Sequence, residues 1–162
     1  AGWVGVLGAP AQRLAVAKRM GADWTCDVFE TTSDERKRKI YDATSGRGAD
    51  IVIEASGNPN AVVEGCELVR DAGRYVVVGQ YTDNGDVAIN PHVHINKKHL
   101  ELLGCWGSDF SHVYHAMEIL ARFGNRVDWT QIISRRYGLD GTQKALEDVE
   151  ARRVVKAVVV PN

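Results

Sequence analysis

The sequence is short of cysteine: Cys26, Cys66 and Cys105 are odd in number, far apart and without C-x-x-C spacing. That pattern fits reduced thiols in a cytosolic protein better than a disulfide framework, and it shows no zinc site. Charge of one sign is lacking as well, since 20 Lys and Arg face 21 Asp and Glu for a net charge of -1. No overall field therefore draws nucleic acid or an acidic membrane surface. No apolar run approaches the roughly 18 residues that a bilayer span requires, and the amino-terminus has neither the basic region nor the long apolar core of a signal peptide. The composition implies a cytoplasmic protein with no nucleic-acid or membrane partner.

What is present is an ordinary globular composition over 162 residues, 44% apolar and 25% charged. Residues 1–162 are read as a single domain, with a radius of gyration of roughly 15 Å and nearly 70% of its unfolded surface buried. Short β-rich runs alternate with helical stretches: Trp3–Leu7, Trp24–Val28, Asp50–Ala55, Arg74–Val78, Leu100–Trp106 and Ala157–Val160 read as strands. The alternation predicts an α/β fold around a mostly parallel sheet, and the consecutive apolar positions predict helices on both of its faces. Between the strands, Pro10 and Gly21 bracket a helix over 11–20. Ser33 is placed to cap a charged helix ending near Ser45, and the basic run Arg36–Lys39 on it is expected to face water. Asn58 and Pro59 start a helix reaching about Arg70. Phe110–Phe123 carries Val113, Met117 and Leu120 on one stripe, ended by Gly124. Asp140 and Gln143 form a capping box for a last helix with Ala145, Leu146 and Val149. Residues 80–99 read as a long loop, the kind that is often functional.

In an open α/β sheet, ligands bind beyond the carboxyl ends of the strands. Four such ends bear glycine: Gly8-Ala9-Pro10, Ser56-Gly57-Asn58, Gly79-Gln80 and Gly104-Cys105-Trp106-Gly107. Glycine there either lets a flat ligand approach the backbone or merely permits the turns. His92 and His94 on one side of an extended segment, and His112 and His115 one helical turn apart, lack the thiolate or carboxylate partners of a zinc site. Ser56 and Ser108 have no adjacent base, so nucleophilic catalysis has no support. Glu54, in an apolar strand, would need a partner if buried and is read as structural.

Five stretches, AQRLAVAKRMGAD, GADIVIEASGNPNAV, GRYVVVGQY, LLGCWGS and KAVVVP, occur in the order and spacing of the nucleotide-binding part of medium-chain, zinc-type alcohol dehydrogenases, which this chain resembles along almost its whole length. The resemblance implies a Rossmann-like, doubly wound sheet, incomplete at its first strand. The family's first strand and G-x-G-x-x-G turn have no counterpart here; the nearest run, Gly46-Arg47-Gly48-Ala49-Asp50-Ile51, ends in isoleucine. The family's catalytic domain, with its zinc ligands, also has no counterpart, so the expectation is a carboxyl-terminal portion or a truncated relative, inactive by itself and without zinc.

Carried over position by position, the resemblance implies a site for NAD or NADP. Gly8 stands where many members place the carboxylate that accepts the adenosine ribose hydroxyls, and Arg13 where a basic residue often lies near the ribose. Ala55, Ser56 and Gly57 match the fourth-strand end, and Val78, Gly79 and Gln80 the fifth. Cys105, Trp106 and Gly107 match the stretch beside the nicotinamide carboxamide, and Lys156 a cationic position near the pyrophosphate. The family order 3-2-1-4-5-6 puts the absent strand at the centre, so its neighbours would stand about 9 to 10 Å apart unless they closed up or another strand filled the slot, for which Ala157–Val160 is the most apolar candidate. The family also implies a homodimer through the edge strand Leu100–Cys105. A non-enzymatic dimerisation or regulatory module that has lost tight cofactor binding is the alternative function, and an S-adenosylmethionine enzyme a third.

Overall fold

The computed structural model describes residues 1–161. Its elements run β1 (Gly5–Gly8), α1 (Ala11–Arg19), β2 (Trp24–Asp27), α2 (Ser33–Ala43), β3 (Ala49–Glu54), α3 (Pro59–Leu68), β4 (Val69–Val77), β5 (Glu101–Gly104), α4 (Phe110–Phe123), β6 (Ile133–Tyr137), α5 (Thr142–Glu150) and β7 (Lys156–Val159). Every strand pairing is parallel, in three ladders: β1-β2, β3-β4-β5 and β6-β7. The first two ladders contain the neighbours that the order 3-2-1-4-5-6 leaves on either side of its first strand. The chain forms two compact units, one of Ala1–Glu30 with the segment from Phe110 onward, the other Thr31–Asp109.

In the second unit, α2, α3 and the three-stranded sheet are layered on one another. The core is Cys66, Val69, Tyr75 and Leu100, with Val52, Val62 and Val77 against it. The Tyr75 hydroxyl is satisfied by donating to the Ala61 carbonyl at 3.2 Å, and burial holds its acidity far below that of an ordinary phenol. Gly65 on α3 makes room for this ring, because a Cβ there would fall on the Tyr75 hydroxyl. Gly65→Ala is expected to cost about 1–3 kcal/mol by overpacking, checked by denaturant melts. Glycine is also required at Gly48, whose φ of +90° leads into β3.

Three sequence expectations change here. Thr32, not Ser33, caps α2, through a capping box in which the Glu35 amide donates to Thr32 Oγ1 and the Thr32 amide to Glu35 Oε2. Arg36 does not face water: it is buried and grips Glu64 of α3 with two bonds of 2.6 and 2.9 Å, because a planar guanidinium matches a carboxylate edge to edge. Helices do not cover both faces of this sheet within the unit. Ile51 and Ile53 alternate outward and are 57% and 64% exposed, while Glu54 turns inward.

In the first unit, α1 packs Leu14 and Val16 onto the β1-β2 pair and ends before Gly21, whose φ of +104° stops the helix. The stripe on α4 is exposed, Val113, Met117 and Leu120 included. Ala157–Val160 does not replace an absent central strand; β7 pairs with β6, a strand that alternation alone misses because three of its residues, Ser134, Arg135 and Arg136, are polar and exposed. Asp140 forms no cap. Instead α5 turns Ala145 and Asp148 inward and leaves Leu146 and Val149 exposed.

Asp148 ties this corner together. Its carboxylate accepts from Tyr137 Oη at 2.7 Å, Arg153 Nε at 2.6 Å and Arg135 Nη1 at 3.1 Å, with Lys144 Nζ at 3.2 Å. The bonds from Tyr137 and Arg153 hold it well below the usual carboxylate range. A depressed folded pKa contributes stability that is present above the unfolded value and lost as pH falls through the folded one. Melts against pH are expected to show an acid limb reaching below the ordinary carboxylate range, and Asp148→Asn to flatten it.

Candidate functional site

The carboxyl ends of β3, β4 and β5 lie side by side, and the turn after each strand folds back across the rim of the second unit. From β3, the Glu54 carbonyl accepts from the amides of Val78 and Gly79 at 2.8 and 3.0 Å, which extends the β3-β4 ladder into the turn. On the other side, the Cys105 amide donates to the Val77 carbonyl at 3.0 Å. The structure thus brings Ala55, Ser56, Gly57, Val78, Gly79, Gln80, Cys105, Trp106 and Gly107 into one unit at one rim.

At this rim, outside the strand ends where an open α/β sheet has its crevice, the glycines let the turns pack backbone on backbone. An added Cβ on Gly79 would lie 2.6 Å from the Gly57 amide nitrogen and 2.7 Å from the Ser56 nitrogen, and one on Gly57 would lie 2.9 Å from the Gly79 carbonyl oxygen. Two backbones therefore touch with no side chain between them. Gly57, at φ +73°, is also in the left-handed region that favours glycine.

Beneath the turn sits Glu54, only 4% exposed. Its Oε1 accepts from the Ser56 amide at 2.6 Å, the Ser56 hydroxyl at 2.7 Å and the Gly57 amide at 2.9 Å, while Oε2 accepts from Gln80 Nε2 at 3.2 Å. Burial alone would raise its pKa, but the bonds from Ser56, Gly57 and Gln80 together outweigh that, and the carboxyl lies below its ordinary value. Glu54 is ionised at neutral pH and fixes both turns. The Ser56 hydroxyl also accepts from the Asn58 amide at 3.1 Å, so it serves the turn. Asn58 then caps α3 by accepting from the Asn60 amide at 3.0 Å, which places the amino-terminus of that helix directly after the crevice.

A second layer comes from residues 80–85 and the turn after β5. Asn84 Nδ2 donates to the Gly57 carbonyl at 2.9 Å, anchoring the loop to the crevice. Tyr81 and Trp106 stack with centroids 4.6 Å apart and planes 7° from parallel. Sequence reasoning misses Tyr81 and Asn84, because nothing in a loop sequence says which residue folds back on which turn. Glu54 carries a signal, a lone carboxylate in an apolar strand, but its partners are not legible.

The remaining expected residues lie in the other unit. Gly8 ends β1, opposite Asp27, and an added Cβ there would meet only Leu14 Cδ2, at an ordinary 3.7 Å, so no close approach demands glycine. Arg13 is exposed on α1, and Lys156 is exposed at the start of β7. His94 Nδ1 accepts from the Asn90 amide and His115 pairs with Glu118 at 3.0 Å. Among the described residues no group of three or more His, Cys, Asp and Glu side chains gathers to hold a metal ion, and no helix is long and apolar enough to cross a membrane.

Parallel ladders with interleaved helices and a glycine-lined crevice at the strand ends define a Rossmann-like α/β protein. The chain belongs to the zinc-binding dehydrogenase family, whose model matches residues 4–122. It is 34% identical over 147 residues to a 5-exo-hydroxycamphor dehydrogenase of Pseudomonas putida, covering 91% of this chain and 40% of that one. An alcohol dehydrogenase structure from Thermotoga maritima superposes with a TM-score of 0.91 at 34% identity, over 99% of this chain and 43% of that one. A short chain alcohol dehydrogenase of Escherichia coli complexed with NADH shares the fold at a TM-score of 0.78 and 20% identity, over 99% of this chain and 44% of that one. The chain thus spans about two fifths of the length of the curated relatives it matches.

Proposed function

We propose that this chain is the nucleotide-binding part of an NAD(P)-dependent, zinc-type dehydrogenase that moves hydride between a nicotinamide and an alcohol or carbonyl carbon. The contact between Gly57 and Gly79 carries the reading, since backbone packed on backbone leaves bare main chain at the strand ends, where a dinucleotide lies in an open α/β sheet. When bound, the nicotinamide supplies the hydride acceptor. The chain's own part is to bind and orient it: Glu54, which takes the Ser56 and Gly57 amides, holds the turns that border the crevice, and the amino-terminus of α3 favours a nearby phosphate. Cys105, Trp106 and Gly107 border the nicotinamide end. For Gly8, Arg13 and Lys156, which lie in the other unit, the proposed adenosine and pyrophosphate roles rest on the family resemblance, and Asp27 supplies a carboxylate at the strand end beside Gly8.

Titration calorimetry with NAD, NADH, NADP and NADPH tests this: sub-millimolar binding of at least one supports it, and no binding of any overturns it. The chain alone is expected to be silent toward alcohols, and alcohol oxidation by it would contradict that. A homodimer through the Leu100–Cys105 edge is suggested by β5, which among the described residues pairs with β4 alone; a monomer in light scattering at high concentration would remove it. The non-enzymatic module keeps one observation in its favour, the exposed Phe110, Val113 and Met117 of α4. The reducing cytoplasm remains the proposed location, with the Cys105 thiol exposed.

A further inference from the structure

We infer that Asn84 is a site of spontaneous deamidation, and that the modification releases residues 80–85 from the rim and weakens dinucleotide binding there; the effect on binding rests on the function proposed above. Asn84-Gly85 is the one place in the chain where glycine follows asparagine. In such a pair the main-chain nitrogen of glycine reaches the asparagine side-chain carbonyl carbon unhindered, because glycine carries no Cβ to block the approach. The Gly85 nitrogen, on losing its proton, bonds to Asn84 Cγ; the Cγ–Nδ2 bond breaks and ammonia leaves with that proton, closing a five-membered imide. Water then opens the ring to aspartate or isoaspartate.

The setting favours this chemistry. Residues 78–90 belong to no helix or strand, and residues 81–86 are exposed, so water reaches the ring. Gly85 stands at φ +97°, and its amide donates to Asp83 Oδ1 at 3.0 Å, a side chain of the same turn, not to a carbonyl in a ladder. Little has to break for the ring to close. The other described asparagines are worse placed. Asn58 and Asn90 precede prolines, which have no N–H to give up. Asn60, Asn96 and Asn125 precede Ala61, Lys97 and Arg126, whose amides are tied to the carbonyls of Asn58, His92 and Phe123.

The bond that the modification breaks belongs to the same side chain. Asn84 Nδ2 donates to the Gly57 carbonyl at 2.9 Å, which ties the loop to the turn after β3. An ionised aspartate or isoaspartate side chain has no N–H to give, and its carboxylate sets oxygen against the carbonyl oxygen. The loop is then repelled where it was held. The new charge also falls between Asp83 and Asp86, so a run of carboxylates would stand at the rim and oppose an anionic dinucleotide.

The test incubates the full chain in mildly alkaline buffer and follows it by peptide mass mapping. The peptide holding Asn84 is expected to gain one dalton, with release of ammonia and appearance of isoaspartate, at least tenfold faster than the peptides holding Asn60, Asn96 and Asn125. Asn84→Gln, which would have to close a six-membered ring, is expected to stop it. The product form, Asn84→Asp, is expected to move the Trp106 indole N–H signal in NMR, since Tyr81 of the same loop stacks on that ring with centroids 4.6 Å apart. It is also expected to lower NADH affinity at least fivefold in calorimetry. Deamidation of Asn84 no faster than of the others would overturn the assignment of the site, and an unmoved Trp106 signal in Asn84→Asp would overturn the release of the loop. Where the native chain binds NADH, equal affinity in Asn84→Asp would overturn the effect on binding. A native chain that binds no dinucleotide while Asn84 still deamidates would remove the cofactor reading and leave the modification site standing.

Discussion

Gly79→Ala is expected to lower dinucleotide affinity at least tenfold and to cost about 1–3 kcal/mol of stability, the range for forcing a methyl into a close-packed site. The new Cβ would lie 2.6–2.7 Å from the Gly57 nitrogen, the Ala55 carbonyl carbon and the Ser56 nitrogen. All three are backbone atoms, which cannot swing aside as the end of a flexible side chain would. The turns must part, and the amides that Glu54 holds in place shift with them. Calorimetry with NADH and a denaturant melt read the two effects independently. Unchanged affinity in a folded variant would show that the dinucleotide does not use this crevice.

Glu54→Ala is expected to be the most damaging single change at the rim. It removes the acceptor for two backbone amides, one hydroxyl and one side-chain amide. An unsatisfied buried donor costs about 1–3 kcal/mol, so a loss of roughly 3 kcal/mol is expected where water reaches some of the four and not the rest. Glu54→Gln keeps one acceptor oxygen but sets an amide against Gln80, and should fall between alanine and the native residue. The acid response comes from the same bonds. Because the folded pKa is lowered, the contribution of Glu54 is complete above its unfolded value and disappears as pH falls through the folded one. The amide shifts of Ser56 and Gly57 should therefore hold at neutral pH and collapse together in acid. A collapse near or above the ordinary carboxylate pKa would refute the bonded, ionised state.

The exposure of Ile51, Ile53 and α4 bears on how such a sequence should be read. An apolar run signals a buried strand because isolated chains seldom leave such surface bare. Here β3 is apolar at consecutive positions, yet only its Glu54 end is buried within the unit. The run does mark a strand, while coverage on both faces is an inference about neighbours that the run itself does not contain.

Local chemistry makes much of the fold legible. Pro10 and Gly21 bracket α1, and Asn58 with Pro59 opens α3, because caps and backbone stops act within a few residues. Strand identity and parallel pairing emerge from apolar runs separated by helices, and the Gly57, Gly79 and Gly107 turns can be placed at strand ends from their order alone. Where a polar side chain reaches across the fold, the sequence is silent. By sequence, Arg36 is one of four cations on a solvated helix face, and only the packing of α2 on α3 brings it to Glu64. Asp148 has the look of a surface residue on an amphipathic helix until β6 supplies Tyr137 and Arg135. Glu54, Gln80 and Asn84, which hold the crevice, are scattered along the chain and meet only when β4 lies beside β3. Periodicity and capping are properties of neighbouring residues and can be read from their order. Long-range hydrogen bonds depend on which elements pack together, and only the tertiary structure settles that.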